Sequence, residues 1–123
     1  TRFPESKYAK DSRQKIILVK SNIAAKHMEI GRFYLENKKF IAALNRFKIV
    51  VDEFSITKFT PEALHRMVEA YYGMGMYEES YNTAALLGYN YPDTKWYEFS
   101  YNLVKQIDGE ETFLKKIRNF FDG

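Results

Sequence analysis

Between His27 and Pro92 the chain repeats itself at an offset of 37 residues. Ile30 and Tyr34 recur as Met67 and Tyr71, and Phe40, Ala43 and Val50 recur as Tyr77, Ser80 and Leu87. A fixed interval of this size means stacked supersecondary units, each too small to bury its apolar face alone. Within a unit the apolar positions step by three or four, so the units are helical hairpins. In the first, Gly31 is the small residue where the second helix crosses, Ala43 is its counterpart, and Tyr34 and Phe47 fill the space around them. The second hairpin keeps this layout with Val68 at the glycine position and Ala84 at the phenylalanine position.

The run Glu62-Ala63-Leu64 to Tyr71-Tyr72, followed by Gly75, Tyr77-Glu78-Glu79 and Pro92, resembles the tetratricopeptide repeat (TPR). That repeat has a period of about 34 residues, so roughly three extra residues are expected in the loop around Ile56 to Thr60. The resulting expectation is an all-α, TPR-like helical-hairpin solenoid with a long first helix and a C-terminal capping helix pair. It forms one TPR-type domain over 1–123, with hairpins at about 7–54 and 61–88 and cap helices at about 94–121.

The first helix is the unusual element. Ile16, Val19, Ile23, His27, Ile30 and Tyr34 form one unbroken apolar stripe, and neither Pro nor Gly interrupts Ser6 to Ile30, so a single helix is expected from Tyr8 to Glu36. Its partner runs from Lys39 to Phe54, with Phe40, Ala43, Leu44, Phe47, Val50 and Val51 turned inward. Thr60-Pro61-Glu62 reads as a helix start with Thr60 as N-cap, and Gly75 as its close. The next helix, Tyr77 to Leu87, is expected to end at Gly88. Asp93-Thr94 cap a further helix with Trp96, Phe99, Ser100, Leu103 and Ile107 on one side, ended by Asp108-Gly109. A last helix, Glu110 to Phe121, has acids at its start and Lys115, Lys116 and Arg118 near its end, with Phe113, Leu114, Ile117 and Phe121 as its apolar face. These two helices would supply the terminal cap that a solenoid needs.

Composition removes several function classes. With no cysteine there is no disulfide framework, thiolate metal site or cysteine nucleophile. His27 and His65, the two histidines, are 38 positions apart and lack metalloprotease spacing; His27 falls on the apolar stripe and reads as a core residue. Glu78-Glu79 diverge on a helix and cannot act as a catalytic dyad. No glycine-rich phosphate loop is present, so an enzyme is not expected, nor any metal or cofactor. A net charge of +3 is too mild to indicate nucleic acid, and Lys7, Lys10, Arg13, Lys15 and Lys20 read as a solvated face. No apolar run reaches the 18 or so residues of a membrane span.

Two longer runs resemble a particular family. Leu87-Gly88-Tyr89-Asn90-Tyr91-Pro92-Asp93-Thr94-Lys95-Trp96-Tyr97 is similar to the end of the BamD family of outer-membrane assembly lipoproteins, in its alphaproteobacterial form. Phe3-Pro4-Glu5-Ser6-Lys7-Tyr8, with Asp11 and Lys15, resembles that family's entry into its third repeat, and Ala42-Ala43-Leu44-Asn45-Arg46 the second helix of that repeat. Ser55-Ile56 departs from the family, which often has a proline there, and the family's signal peptide, lipidated cysteine and first two repeats are not in this sequence. The resemblance implies a C-terminal fragment of a lipid-anchored protein at the periplasmic face of the outer membrane. It implies a non-enzymatic scaffold of the β-barrel assembly (BAM) machinery that docks on the last periplasmic POTRA domain of BamA, meets other BAM subunits, and shares in handling unfolded outer-membrane protein substrates. Arg46 matches the family's docking arginine, with Asn45 beside it.

From the residues themselves, Arg46 flanks the inward Leu44 and Phe47, so its guanidinium belongs at the edge of the core face. There it could form a charge-assisted bond to a partner carboxylate. A generic TPR adaptor is the alternative scaffold, with Arg32 and Arg66 as candidate groove cations and Tyr72, Tyr81 and Tyr101 as an aromatic surface; two arginines are too few for a carboxylate clamp. A DNA-uptake lipoprotein is a further alternative, because the family has carried that label.

Overall fold

The computed structural model describes residues 6–108 together with residues 115, 117–119 and 122. Five helices follow one another: α1 Lys7–Glu36, α2 Phe40–Glu53, α3 Thr60–Gly73, α4 Tyr77–Asn90 and α5 Lys95–Asp108. α1 packs on α2, α2 on α3 and α3 on α4, while α5 lies against both α3 and α4. This is the right neighbour order for stacked hairpins.

The long first helix is continuous. Ser6 caps it by accepting a hydrogen bond from the Ala9 amide at 3.1 Å. Its contact line differs from the expected stripe, because Ala24, Met28 and Gly31 are the buried residues. Ile16, Val19 and Ile23 are 53, 56 and 43% exposed, and His27, Ile30 and Tyr34 are half-buried. Two physical reasons account for this. The small Ala24 and Gly31 let α2 approach most closely along their line, leaving the bulkier residues on the flank. A 14-residue α2 is also only about 21 Å long against about 45 Å for the 30-residue α1, so it covers half of it.

The close approach is tight. A Cβ at Gly31 would lie 2.6 Å from the Phe47 ring, and Phe47 is fully buried. At the equivalent place in the second hairpin, Val68 and Ala84 are both fully buried in one apolar cluster with Tyr81 and Val104. Large and small have exchanged sides of the helix pair, and both arrangements fill the space. Ser80, the counterpart of Ala43, is buried and donates its hydroxyl to the Val68 carbonyl at 3.1 Å.

The turns repeat as faithfully as the helices. Lys38 and Gly75, 37 positions apart, both adopt left-handed backbone, at φ 60° and 74°. Glycine accepts this conformation without cost and lysine does not. A Cβ at Gly75 would meet nothing within 4 Å, so backbone strain alone distinguishes the two residues there. Lys38→Gly is therefore expected to raise stability by about 1 kcal/mol and Gly75→Lys to lower it by about as much. The urea midpoints of the two variants, moving in opposite directions, would confirm this. The extra residues of the period lie between α2 and α3, where residues 54–59 replace a three-residue turn.

Two helix boundaries differ from expectation. Thr60 is the first residue of α3 rather than its cap, and its hydroxyl donates to the Ser55 carbonyl at 3.0 Å, bracing the long loop. Gly88 lies inside α4, which continues to Asn90. A Cβ there would sit 2.5 Å from the Tyr97 ring, so this glycine makes room for α5 rather than ending a helix. Thr94 does start α5, its hydroxyl oxygen accepting from the Tyr97 amide at 3.3 Å. On α5 the fully buried residues are Ser100 and Val104, while Phe99 is 46% exposed. Most of the expected last helix, Glu110 to Phe121, lies outside the described residues, including Phe113, Leu114 and Phe121. Lys115, Ile117, Arg118 and Asn119 are helical, and Ile117 packs against the cluster of Val68, Tyr81, Ala84 and Val104.

Candidate functional site

Asn45 and Arg46 follow one another on α2, one turn before the buried Val50. Asn45 is exposed and Arg46 half-buried. The Arg46 guanidinium donates through one terminal nitrogen to Nδ1 of His27 at 3.2 Å, which requires His27 to carry its proton on Nε2. His27 is itself half-buried rather than in the core, its ring 5.9 Å from that of Phe54. Among the described residues no carboxylate pairs with Arg46. Its charge is held in place by a neutral ring and is not neutralised.

Arg66 and Tyr72, on α3, are placed differently. Arg66 donates to Glu62 at 3.2 Å and to Glu69 at 2.9 Å, and its guanidinium lies 5.3 Å from the centre of the Trp96 ring. Tyr72 stacks on Tyr77 with ring centres 5.7 Å apart. Tyr81 is buried and Tyr101 half-buried. Arg46 thus engages α1 while Arg66 engages α3 and α5, and the four expected contact residues do not converge on one spot.

Arg66 belongs to an internal polar network. Glu62 is 8% exposed and accepts a bidentate pair from Arg32 at 2.7 and 2.8 Å, tying α1 to α3. Burial pushes the Glu62 carboxyl up, but the hydrogen bonds and charges of Arg32 and Arg66 outweigh it and hold the group below the usual range. Next to it, buried His65 shares a 2.7 Å hydrogen bond between Nδ1 and the Ser100 hydroxyl of α5, and its Nε2 is 3.5 Å from Glu69. Burial pushes this imidazole down, only partly offset by the Glu69 carboxylate. Arg32 and Arg66, the candidate groove cations of a peptide adaptor, are therefore both committed to Glu62.

The i, i+4 and i, i+3 spacing of Glu62, Arg66 and Glu69 was readable as a helical ladder. Arg32, 30 positions away, and the pairing of His65 with Ser100, 35 positions away, left no local signal. Among the described residues no group of three or more His, Asp or Glu is placed to hold a metal, and no described helix is long and apolar enough to cross a membrane.

With this geometry established, the chain was compared with known proteins. A family model described as an outer membrane lipoprotein, YfiO, matches residues 1–87. The chain belongs to the YfiO family. Similar YfiO-type relatives include the outer membrane protein assembly factor BamD of Rickettsia prowazekii, 50% identical over 85% of this chain, and that of Caulobacter vibrioides, 47% identical over 84%. The Haemophilus influenzae protein of the same name is 32% identical over 72%. The chain spans 42, 34 and 34% of the lengths of these three relatives. The resemblance read from the Asn45-Arg46 and Leu87-to-Tyr97 runs thus leads to the same family.

Proposed function

We propose that this chain is the scaffold portion of an outer membrane protein assembly factor, and that it docks on the periplasmic POTRA region of BamA through the α2 face carrying Arg46. The names of the relatives supply the process. The observation that carries the docking is the state of Arg46, a guanidinium oriented by His27 and left without a carboxylate among the described residues. A cation held in one geometry gives a partner carboxylate a charge-assisted bond at low ordering cost. Asn45, exposed beside it, adds an amide to the same face. In this reading Arg66 and Tyr72 support α3 from within, and the partner meets α2. The protein works at the periplasmic face of the outer membrane, carried there by the family's lipid anchor, beside other BAM subunits and their unfolded substrates.

Calorimetric titration against the last POTRA domain of the cognate BamA tests this. Arg46→Glu is expected to weaken binding by about tenfold or more, the scale of an energetically important interface residue. Since the arginine is half-buried against a neutral ring, the variant should keep its helical circular dichroism. Equal affinity of the variant and the wild type would move the interface off α2.

A further inference from the structure

The groove between α3 and α5 is not used by the reading above. It has a volume of about 500 Å³ and is lined by His65, Arg66 and Glu69 of α3 and by Trp96, Phe99, Asn102, Leu103 and Gln106 of α5. Its floor is aromatic: Trp96 and Phe99 meet edge to face with centres 5.7 Å apart, and each lies within 5.8 Å of His65. Phe99 nevertheless keeps 46% of its surface in solvent, an aromatic face directed into an open cleft.

The polar groups of the groove say what the cleft can hold. The two guanidiniums of Arg32 and Arg66 face the two carboxylates of Glu62 and Glu69, so the α3 wall is already neutral. A charged tail would find no counter-charge on that wall. Asn102 and Gln106 are exposed and lie one turn apart on the α5 wall. Each amide offers two donors and an acceptor. Four residues of helix advance about 6 Å, close to the roughly 6.6 Å that two residues advance in an extended chain. The two amides therefore match alternate backbone groups of an extended segment, whose side chain between them falls on the Phe99–Trp96 floor.

We infer that the α3–α5 groove is a second binding site, which takes an uncharged, extended peptide segment carrying an aromatic side chain. It stands apart from Arg46 and does not depend on POTRA docking. Backbone recognition by Asn102 and Gln106 sets the register, and ring packing on Phe99 and Trp96 sets the preference for an aromatic residue.

Trp96, the only tryptophan of the chain, gives the site its own readout. Titration with acetyl-Ser-Thr-Ser-Phe-Ser-Thr-Ser-amide is expected to change the Trp96 emission saturably. The same peptide with Asp in place of Phe should bind at least about tenfold more weakly, and so should the Phe peptide in the Asn102→Ala and Phe99→Ala variants. Gln106→Glu, an exposed change on a helix, keeps the fold and places an unmatched charge in the groove; it too should lose about tenfold. Three results would overturn the inference: no saturable response in the wild type, tighter binding of the Asp peptide or of a free-carboxylate Phe peptide, or affinity unchanged by both Asn102→Ala and Gln106→Glu.

Discussion

Phe47→Ala is expected to destabilise the chain by about 3–5 kcal/mol, and Gly31→Val by about 1–3 kcal/mol, each measured by urea unfolding. The first empties the centre of the α1–α2 contact, where Phe47 is fully buried. The second drives a side chain into a ring 2.6 Å from the new Cβ, and that ring has no solvent side to move toward. The informative variant is the double one. Gly31→Val with Phe47→Ala rebuilds in the first hairpin the pairing the second already uses, Val68 with Ala84, both fully buried. The double variant should be less destabilised than the sum of the singles by about 1 kcal/mol or more. Strict additivity would mean that the exchange of large and small between the hairpins is unrelated to how each packs.

The second large effect is expected at Glu62. Glu62→Gln removes the charge that two guanidiniums share and should cost about 2–3 kcal/mol, within the range for hydrogen bonds to charged groups and below that of a fully buried pair, because Arg32 is 37% exposed. The same pairing predicts the direction of the pH dependence. Glu62 has a lower pKa folded than the ordinary 4.5, so its contribution is complete above 4.5 and is lost as pH falls through the folded value. His65, also lowered by burial from 6.5, favours the folded state in its neutral form, and that contribution declines as pH drops below 6.5. Both groups therefore make the chain less stable in acid, His65 first and Glu62 at lower pH. Unfolding free energies of wild type and Glu62→Gln, measured at a series of pH values, should diverge above about pH 4.5 and converge below it. A constant gap across the range would show that the carboxylate's charge contributes nothing.

Much of the architecture was legible along the chain, because a repeat states its pairing rule twice. The 37-residue offset located both hairpins, the longer loop after α2 and the glycine–phenylalanine crossing, since each depends on residues near one another in sequence. The start of α5 at Thr94 was similarly readable from its cap. Errors arose where one-dimensional periodicity had to choose between adjacent helical faces. The apolar stripe of α1, Ile16 through Tyr34, selected the bulkiest residues, whereas close packing selected Ala24, Met28 and Gly31. Gly88 was readable as a helix end from its residue type alone, and only the Tyr97 ring standing over it shows that it serves packing.

The functional residues divide in the same way. Arg46 was identified from its neighbours on α2 and from family resemblance, and both belong to the sequence. The sequence by itself therefore determined the repeat, the helical hairpins, the family and the arginine at the edge of the core. Tertiary structure decided which charges are spoken for. Arg66 looked as available as Arg46 in the sequence, yet Glu62 and Glu69 hold it, and Arg32 reaches the same carboxylate from 30 residues away. It also decided that Trp96, Phe99, Asn102 and Gln106 line one cleft with His65. Helical periodicity reports which residues share a face of one helix. Which two faces meet, and which charges find partners across them, depends on long-range packing that no local spacing encodes.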